Sequence, residues 1–213
     1  MSGGRVSGRS EVDSVIFDVG NVLLRFDYLI AARRLADEGG LDELPAAGPI
    51  AAAKAELEGG RIDRVEFLRI ARSAFQHSGT DESFLKVWRD IFTENLPMTR
   101  FATELSERGV PTYLLSNISC IHVDHILRTY PVFGTVRDAV YSYQVGALKP
   151  EGEIHERAIC QFGINPGRAV FVDDLAENIA AAEAAGLRGL VYDWRNHEPA
   201  ERTIRGMLGI AGS

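Results

Sequence analysis

The stretch Ser14-Val15-Ile16-Phe17-Asp18-Val19-Gly20-Asn21-Val22-Leu23 decides how this chain is read, because an apolar run delivers a carboxylate into a turn that contains glycine. An unbroken run of Val, Ile and Phe fits a central parallel strand covered on both faces better than an amphipathic helix. In open α/β sheets, ligands bind in the crevice beyond the carboxyl ends of the strands, so Asp18 stands where chemistry is expected. Gly20 lets the backbone bend there and approach a ligand closely.

Working outward, the same pattern recurs. Val110 to Leu115 ends in Ser116-Asn117, Arg168 to Val172 ends in Asp173-Asp174, and between them Gly146-Ala147-Leu148-Lys149-Pro150 brings a lysine on a turn before a helical pattern. In this order the four segments resemble the four motifs of the haloacid dehalogenase superfamily: a nucleophilic Asp, a Ser/Thr, a Lys and an acidic pair. The resemblance runs from about Val15 to Tyr192 and is nearest to the phosphatase subgroup with an F-D-x-G-N-V opening, which includes bacterial sugar-phosphate (glucose-1-phosphate) phosphatases. It implies an α/β fold: a doubly wound, Rossmann-like parallel sheet with a small all-helical cap inserted after the first strand. Independently of it, the alternation of strand and helix patterns after residue 99 also implies a doubly wound parallel sheet.

The periodicity between Asp27 and Phe92 contains no strand pattern. Asp27 can cap a helix to about Asp37, an alanine-rich helix runs from Leu44 to Glu58, and Asp63 with Glu66 reads as a capping box opening a helix to His77. A further helix starts at Asp81. Asn95-Leu96-Pro97-Met98 reads as the return linker. The expected division is a frayed tail over 1–10, an α/β core over 11–24 and 97–213, and a helical block over 25–96, which the resemblance implies is a cap closing over Asp18 and which is otherwise a second packing layer.

Composition sets outer bounds. The 213 residues, 46% hydrophobic and 25% charged, suit one core domain with an insertion. A net charge of -7 argues against a nucleic-acid partner or an anionic membrane surface, so a phosphate site needs its own local cations. Cys120 and Cys160 have no metal or redox spacing and read as reduced packing residues, which fits the cytoplasm. The opening residues lack the apolar core of a secretory signal, and no apolar run reaches the ~18 residues of a membrane span. The expected partner is a small phosphorylated metabolite, and the expected state a monomer or homodimer.

If the strand tips converge, Asp18, Asp173 and Asp174 meet in one crevice, where like charges repel unless a cation lies among them. Mg2+ suits such hard oxygen donors. The resemblance implies Asp18 and Asp174 as direct ligands, the Gly20 carbonyl as a backbone ligand, and Asp173 acting through a metal-bound water. It also implies that Asp18 attacks phosphorus to form an aspartyl-phosphate, with Lys149 as fixed positive charge and Ser116 and Asn117 donating to the phosphoryl oxygens. Asn178, one turn into the acidic helix, is expected to orient the carboxylates. Arg25 either binds substrate or pairs with a carboxylate.

One departure stands out. Most phosphatases of this family carry a second Asp two residues after the nucleophile, as general acid and base, and here that residue is Gly20. His122, Asp27 and Asp124 are the candidate replacements, and an anomeric sugar phosphate needs less acid help than an alkyl phosphate. The lead reading is a magnesium-dependent phosphatase acting on a small, sugar-like monoester. The alternatives are a 2-haloacid dehalogenase, which in this superfamily carries Ser-Ser-Asn where this chain has the acidic pair, and a phosphometabolite-binding regulatory protein that has lost turnover.

Overall fold

The computed structural model of the chain describes residues 10–211, so the tail expected over 1–10 lies, but for Ser10, outside the described residues. Strand β1 is Ser14–Phe17, and the chain then turns into a short strand, β2, Leu24–Phe26. Four helices follow: α1 Tyr28–Glu38, α2 Ala47–Glu58, α3 Arg64–Ala74 and α4 Asp81–Arg89. Three of the four starts are written in the sequence, while α2 starts at Ala47 rather than the expected Leu44 and has no side-chain cap. Asp27, Asp63 and Thr80 each accept a backbone N–H of the first helical turn, at 2.9, 2.8 and 3.1 Å.

Strand β3, Phe92–Glu94, pairs antiparallel with β2, so the helical block is carried on a two-stranded ribbon that leaves and re-enters the core side by side. This ribbon is absent from the sequence reading. The expected linker Asn95 to Met98 is also corrected: Asn95 is the cap and Leu96 the first residue of α5, Leu96–Glu107, with Pro97 in the first turn where its missing N–H costs nothing. The core continues as β4 Thr112–Ser116, α6 Cys120–Thr129, β5 Asp138–Tyr141, a single turn α7 Ser142–Val145, α8 Gly152–Phe162, β6 Ala169–Asp173, α9 Ala176–Ala184, β7 Arg188–Val191 and α10 His197–Leu208.

The main sheet has the order β5-β4-β1-β6-β7 with every described pairing parallel. Alternate residues feed opposite faces. Val15, Phe17, Leu114 and Val172 pack with Phe101 and Leu105 of α5 and Ile204 of α10. On the other face Ile16, Leu115 and Phe171 pack with Ile154 and Ala158 of α8 and Ile179 of α9. This is the parallel sheet covered on both sides that the opening stretch predicts. The helical block has an apolar cluster of its own, built on Leu35, Leu57, Phe67, Phe84 and Trp88. Burying each such side chain contributes roughly 1.5–3 kcal/mol.

Chain direction reverses around β1. The path leaves it for β4 and β5 on one side and returns to β6 and β7 on the other, which makes the carboxyl ends of β1 and β6 the switch point where a crevice opens.

Candidate active site

Register places the acids. Phe17 pairs with Val172, so Asp18 and Asp173 are the next residues on adjacent strands, and the Asp18 N–H donates to Val172 O at 2.9 Å. Asp174 follows at the head of α9. Ligating oxygens of Asp18, Asp173 and Asp174 lie within 4.8 Å of one another. Asp18 is 7% exposed and Asp173 fully buried, conditions in which unpaired carboxylates repel strongly.

Lys149, 5% exposed, sits between two of them. Its Nζ is 2.6 Å from Asp173 Oδ2 and 2.8 Å from Asp18 Oδ1, and it donates to Leu115 O at 3.2 Å. The approach to Asp18 Oδ1 is a charge contact without a hydrogen-bond angle, so that oxygen has a cation beside it but no aligned donor. Burial pushes the Asp18 carboxyl up from 3.8 to about 6; Lys149 pulls it back and Asp173 pushes it further up. Burial alone would lower the Lys149 ammonium, yet the two carboxylates outweigh it and hold it raised, so the lysine is charged.

Asp173 is fully engaged. Its Oδ1 accepts the Leu175 N–H at 2.9 Å, Asn178 Nδ2 donates to Oδ1 at 2.9 Å and reaches Oδ2 at 3.1 Å, and Lys149 holds Oδ2. Asp174 is held differently: Asn21 Nδ2 donates to its Oδ2 at 2.9 Å. Asn21 has φ 54, a left-handed conformation that Asn adopts more readily than most residues, and its N–H donates to Leu24 O at 2.7 Å to close the turn after Gly20. Asn21 is a residue the sequence reading leaves without a role. Its signal is an Asn beside glycine in the turn that follows the reactive strand.

Ser116 ends β4 with its hydroxyl beside Asp18. Asn117 lines the crevice, but its side chain faces the backbone of Lys149, donating to the Lys149 carbonyl and accepting from the Lys149 N–H, both at 2.8 Å. It therefore fixes the lysine loop. His122 is 1% exposed, with Nε2 3.3 Å from Trp88 O and Nδ1 3.4 Å from Ser119 Oγ. Burial pushes it down to about 4, so it is a neutral ring joining α6 to α4. Arg25 lies outside the crevice, its guanidinium 3.8 Å above the Trp194 ring, in a neighbouring cavity that shares Asn21 and Asp174.

The crevice is a cavity of about 340 Å³. Asp18, Ser116, Lys149, Asp174 and Asn178 form its polar floor, and Phe26, Tyr28, Lys54, Glu58 and Phe92 line it from the ribbon and the helical block. Lys54 and Glu58 are the second set that the sequence reading misses. Their trace is the one Lys of the alanine-rich α2 with a Glu four residues on.

The match to known proteins agrees with this geometry. The family model of haloacid dehalogenase-like hydrolases covers residues 12–186, and the chain belongs to that family. Among curated proteins it is similar to the phosphatase MT3486 of Mycobacterium tuberculosis, 25% identical over 210 residues that make up 93% of this chain and 95% of that one. It is also similar to the sesquiterpene phosphatase astK of Aspergillus oryzae, 33% identical over 94 residues. That alignment takes in 44% of this chain and about half, 47%, of the other. Among solved structures it resembles the haloacid dehalogenase family enzyme bt-2542 of Bacteroides thetaiotaomicron, with a TM-score of 0.77 at 20% identity over 89% of this chain and 97% of that one. A variant of that enzyme, crystallised with magnesium and inorganic phosphate, superposes with a TM-score of 0.74 at 21% identity over 84% of this chain and 93% of that one.

Proposed function

We propose that the protein is a magnesium-dependent phosphatase that removes phosphate from a small, sugar-like phosphate monoester through an aspartyl-phosphate on Asp18. The observation that carries this reading is the cluster of Asp18, Asp173 and Asp174 at the switch point with a buried Lys149 inserted between two of them. Three acids beside one lysine leave an excess of negative charge facing the cavity, and hard oxygen donors of this kind suit magnesium. Asp18 and Asp174 would hold the ion, with the Gly20 carbonyl as a backbone ligand. Asp173, whose oxygens already accept four close contacts, would act through a bound water. When bound, the ion neutralises the approach of one anion to another.

The chain's own groups supply the rest. Asp18 presents its carboxylate to phosphorus. Lys149 neutralises charge on the transferring group and keeps Asp18 and Asp173 in place, and Asn117 fixes Lys149 through its backbone. The Ser116 hydroxyl is placed beside Asp18 to donate to a phosphoryl oxygen. Two relatives named as phosphatases support the reaction class; one is named for a sesquiterpene and the other for no substrate. The sugar-like leaving group rests on the cavity: about 340 Å³ is at the small end for ligand sites, with the rings of Phe26 and Tyr28 in its lining and the Lys54 ammonium able to bond hydroxyls.

The test is a panel of sugar, aryl and alkyl phosphates with and without magnesium, alongside Asp18→Asn. Magnesium-dependent phosphate release by the native chain, and none by D18N, is the expected result. Halide release from a 2-haloacid that survives chelation, or equal phosphate release by both proteins, contradicts the proposal.

A further inference from the structure

Two residues past Asp18 the chain has Gly20, and the space a side chain would need there is filled: a Cβ on Gly20 would lie 2.8 Å from Cε1 of Phe26. The ring is itself set edge-on to Tyr28, with centroids 5.5 Å apart. This wall of the cavity is apolar, so a proton for the leaving group has to come from another side. The replacements named from sequence are otherwise placed. Asp27 caps α1, His122 is a buried neutral ring, and Asp124 is exposed on α6 and does not line the cavity.

Among the described residues lining the cavity, the carboxylates are Asp18, Asp174 and Glu58. The first two belong to the phosphate end. Glu58, at the end of α2, is 8% exposed; its Oε2 is 2.8 Å from Lys54 Nζ, and Tyr28 Oη donates to its Oε1 at 3.4 Å. Lys54 Nζ lies 4.8 Å above the Tyr28 ring. The titratable groups around Glu58 are thus Lys54 on its own helix, Tyr28 from α1 and the neutral His122 from α6, with Asp18, Asp174 and Lys149 across the cavity. Burial pushes the Glu58 carboxyl up, and Lys54 and the Tyr28 hydroxyl partly offset this.

We infer that Glu58 gives and takes the proton of the leaving group, doing from the helical block what a side chain at position 20 would do from the core. The inference rests on the phosphatase reading above. In the first step Asp18 forms a bond to phosphorus as the ester P–O bond breaks, and the Glu58 proton passes to the departing oxygen, releasing an alcohol. Lys54 then stabilises the Glu58 carboxylate. In the second step a water attacks phosphorus, gives its proton to Glu58 and breaks the bond to Asp18. Phosphate leaves and both carboxyl groups return to their starting states.

The experiment compares kcat/KM of the native chain and Glu58→Gln over ring-substituted phenyl phosphates, from 4-nitrophenyl to 4-methoxyphenyl, and one alkyl phosphate, a hexose 6-phosphate. A nitrophenolate departs without a proton and an alkoxide does not. E58Q is expected to stay within about threefold of native on the first and to fall on the order of 10²-fold on the alkyl ester, steepening the dependence on leaving-group acidity. Should E58Q not fold, Glu58→Asp keeps the proton but retracts it, and the expected loss has the same dependence at smaller size. A loss equal across the panel, or no loss, overturns the role of Glu58 while leaving the phosphatase standing. A native chain that hydrolyses none of the panel overturns both.

Discussion

At the scale of single residues, the site depends on how buried charge is shared. Removing one partner of a buried ion pair leaves an uncompensated charge, which costs about 3–5 kcal/mol. Lys149→Met leaves Asp18 and Asp173 facing each other, so its urea midpoint should fall by that much stability, its phosphatase activity should be lost, and saturating magnesium should recover part of the stability. Asn21 controls Asp174 instead. Asn21→Gly removes the amide that holds the Asp174 carboxylate but accepts φ 54 without strain, so the fold should be unaffected. By analogy with outer partners of metal ligands, calorimetry should show ~10- to 100-fold weaker magnesium binding. The places of Asp18, Asp173 and Asp174 are legible in the sequence because each ends or follows an apolar run, and that of Lys149 because it lies on a turn between two such runs; their roles come from the resemblance. The position of the Asn117 amide, both halves facing one backbone residue, is not legible, since it depends on a loop 32 residues away.

At the scale of elements, the strands and helices of the core are legible from period and caps, and what escapes is short or non-local. Strands β2 and β3 have three residues each and form because they pair with one another across the helical block, which no local pattern records. The turn α7 ends on Gly146 in the left-handed region and is likewise too short for periodicity. Buried groups on well-predicted helices carry a pH signature. His155 of α8 is fully buried against Phe171 with neither ring nitrogen paired, and burial pushes it down from 6.5 to about 4. The unfolded chain takes up a proton as pH falls through 6.5 while the folded chain does not until about 4. Stability is therefore lost across that window, and His122 contributes in the same sense. Asp18, raised to about 6, acts oppositely between 6 and 3.8. His155→Phe should flatten the acid loss of stability between pH 6.5 and 4 in chemical-denaturation curves, moving the acid midpoint down.

At the scale of the whole molecule, the core that carries Asp18 and Lys149 and the helical block that carries Tyr28 and Glu58 line one cavity, and one hydroxyl joins them. Ser142 Oγ, fully buried, donates to the Glu58 carbonyl at 2.6 Å and accepts from the Ile118 N–H at 3.0 Å. Ser142→Ala leaves that N–H without its acceptor, so it should lower stability by ~1–3 kcal/mol and, by loosening Glu58, lower kcat/KM for an alkyl phosphate more than for 4-nitrophenyl phosphate in steady-state assays. The doubly wound sheet follows from the sequence alone, because alternation of strand and helix constrains topology; how the block sits over the crevice follows from contacts such as this one, which have no sequence pattern. The catalytic roles of Lys149, Ser116 and Glu58 depend on Asp18 bonding to phosphorus. The direct measurement is rapid quench during turnover followed by borohydride reduction and peptide mass spectrometry. Conversion of residue 18 to homoserine in the native chain, absent in D18N, is the predicted result. Full phosphate turnover with residue 18 unreduced at every time point would contradict the account.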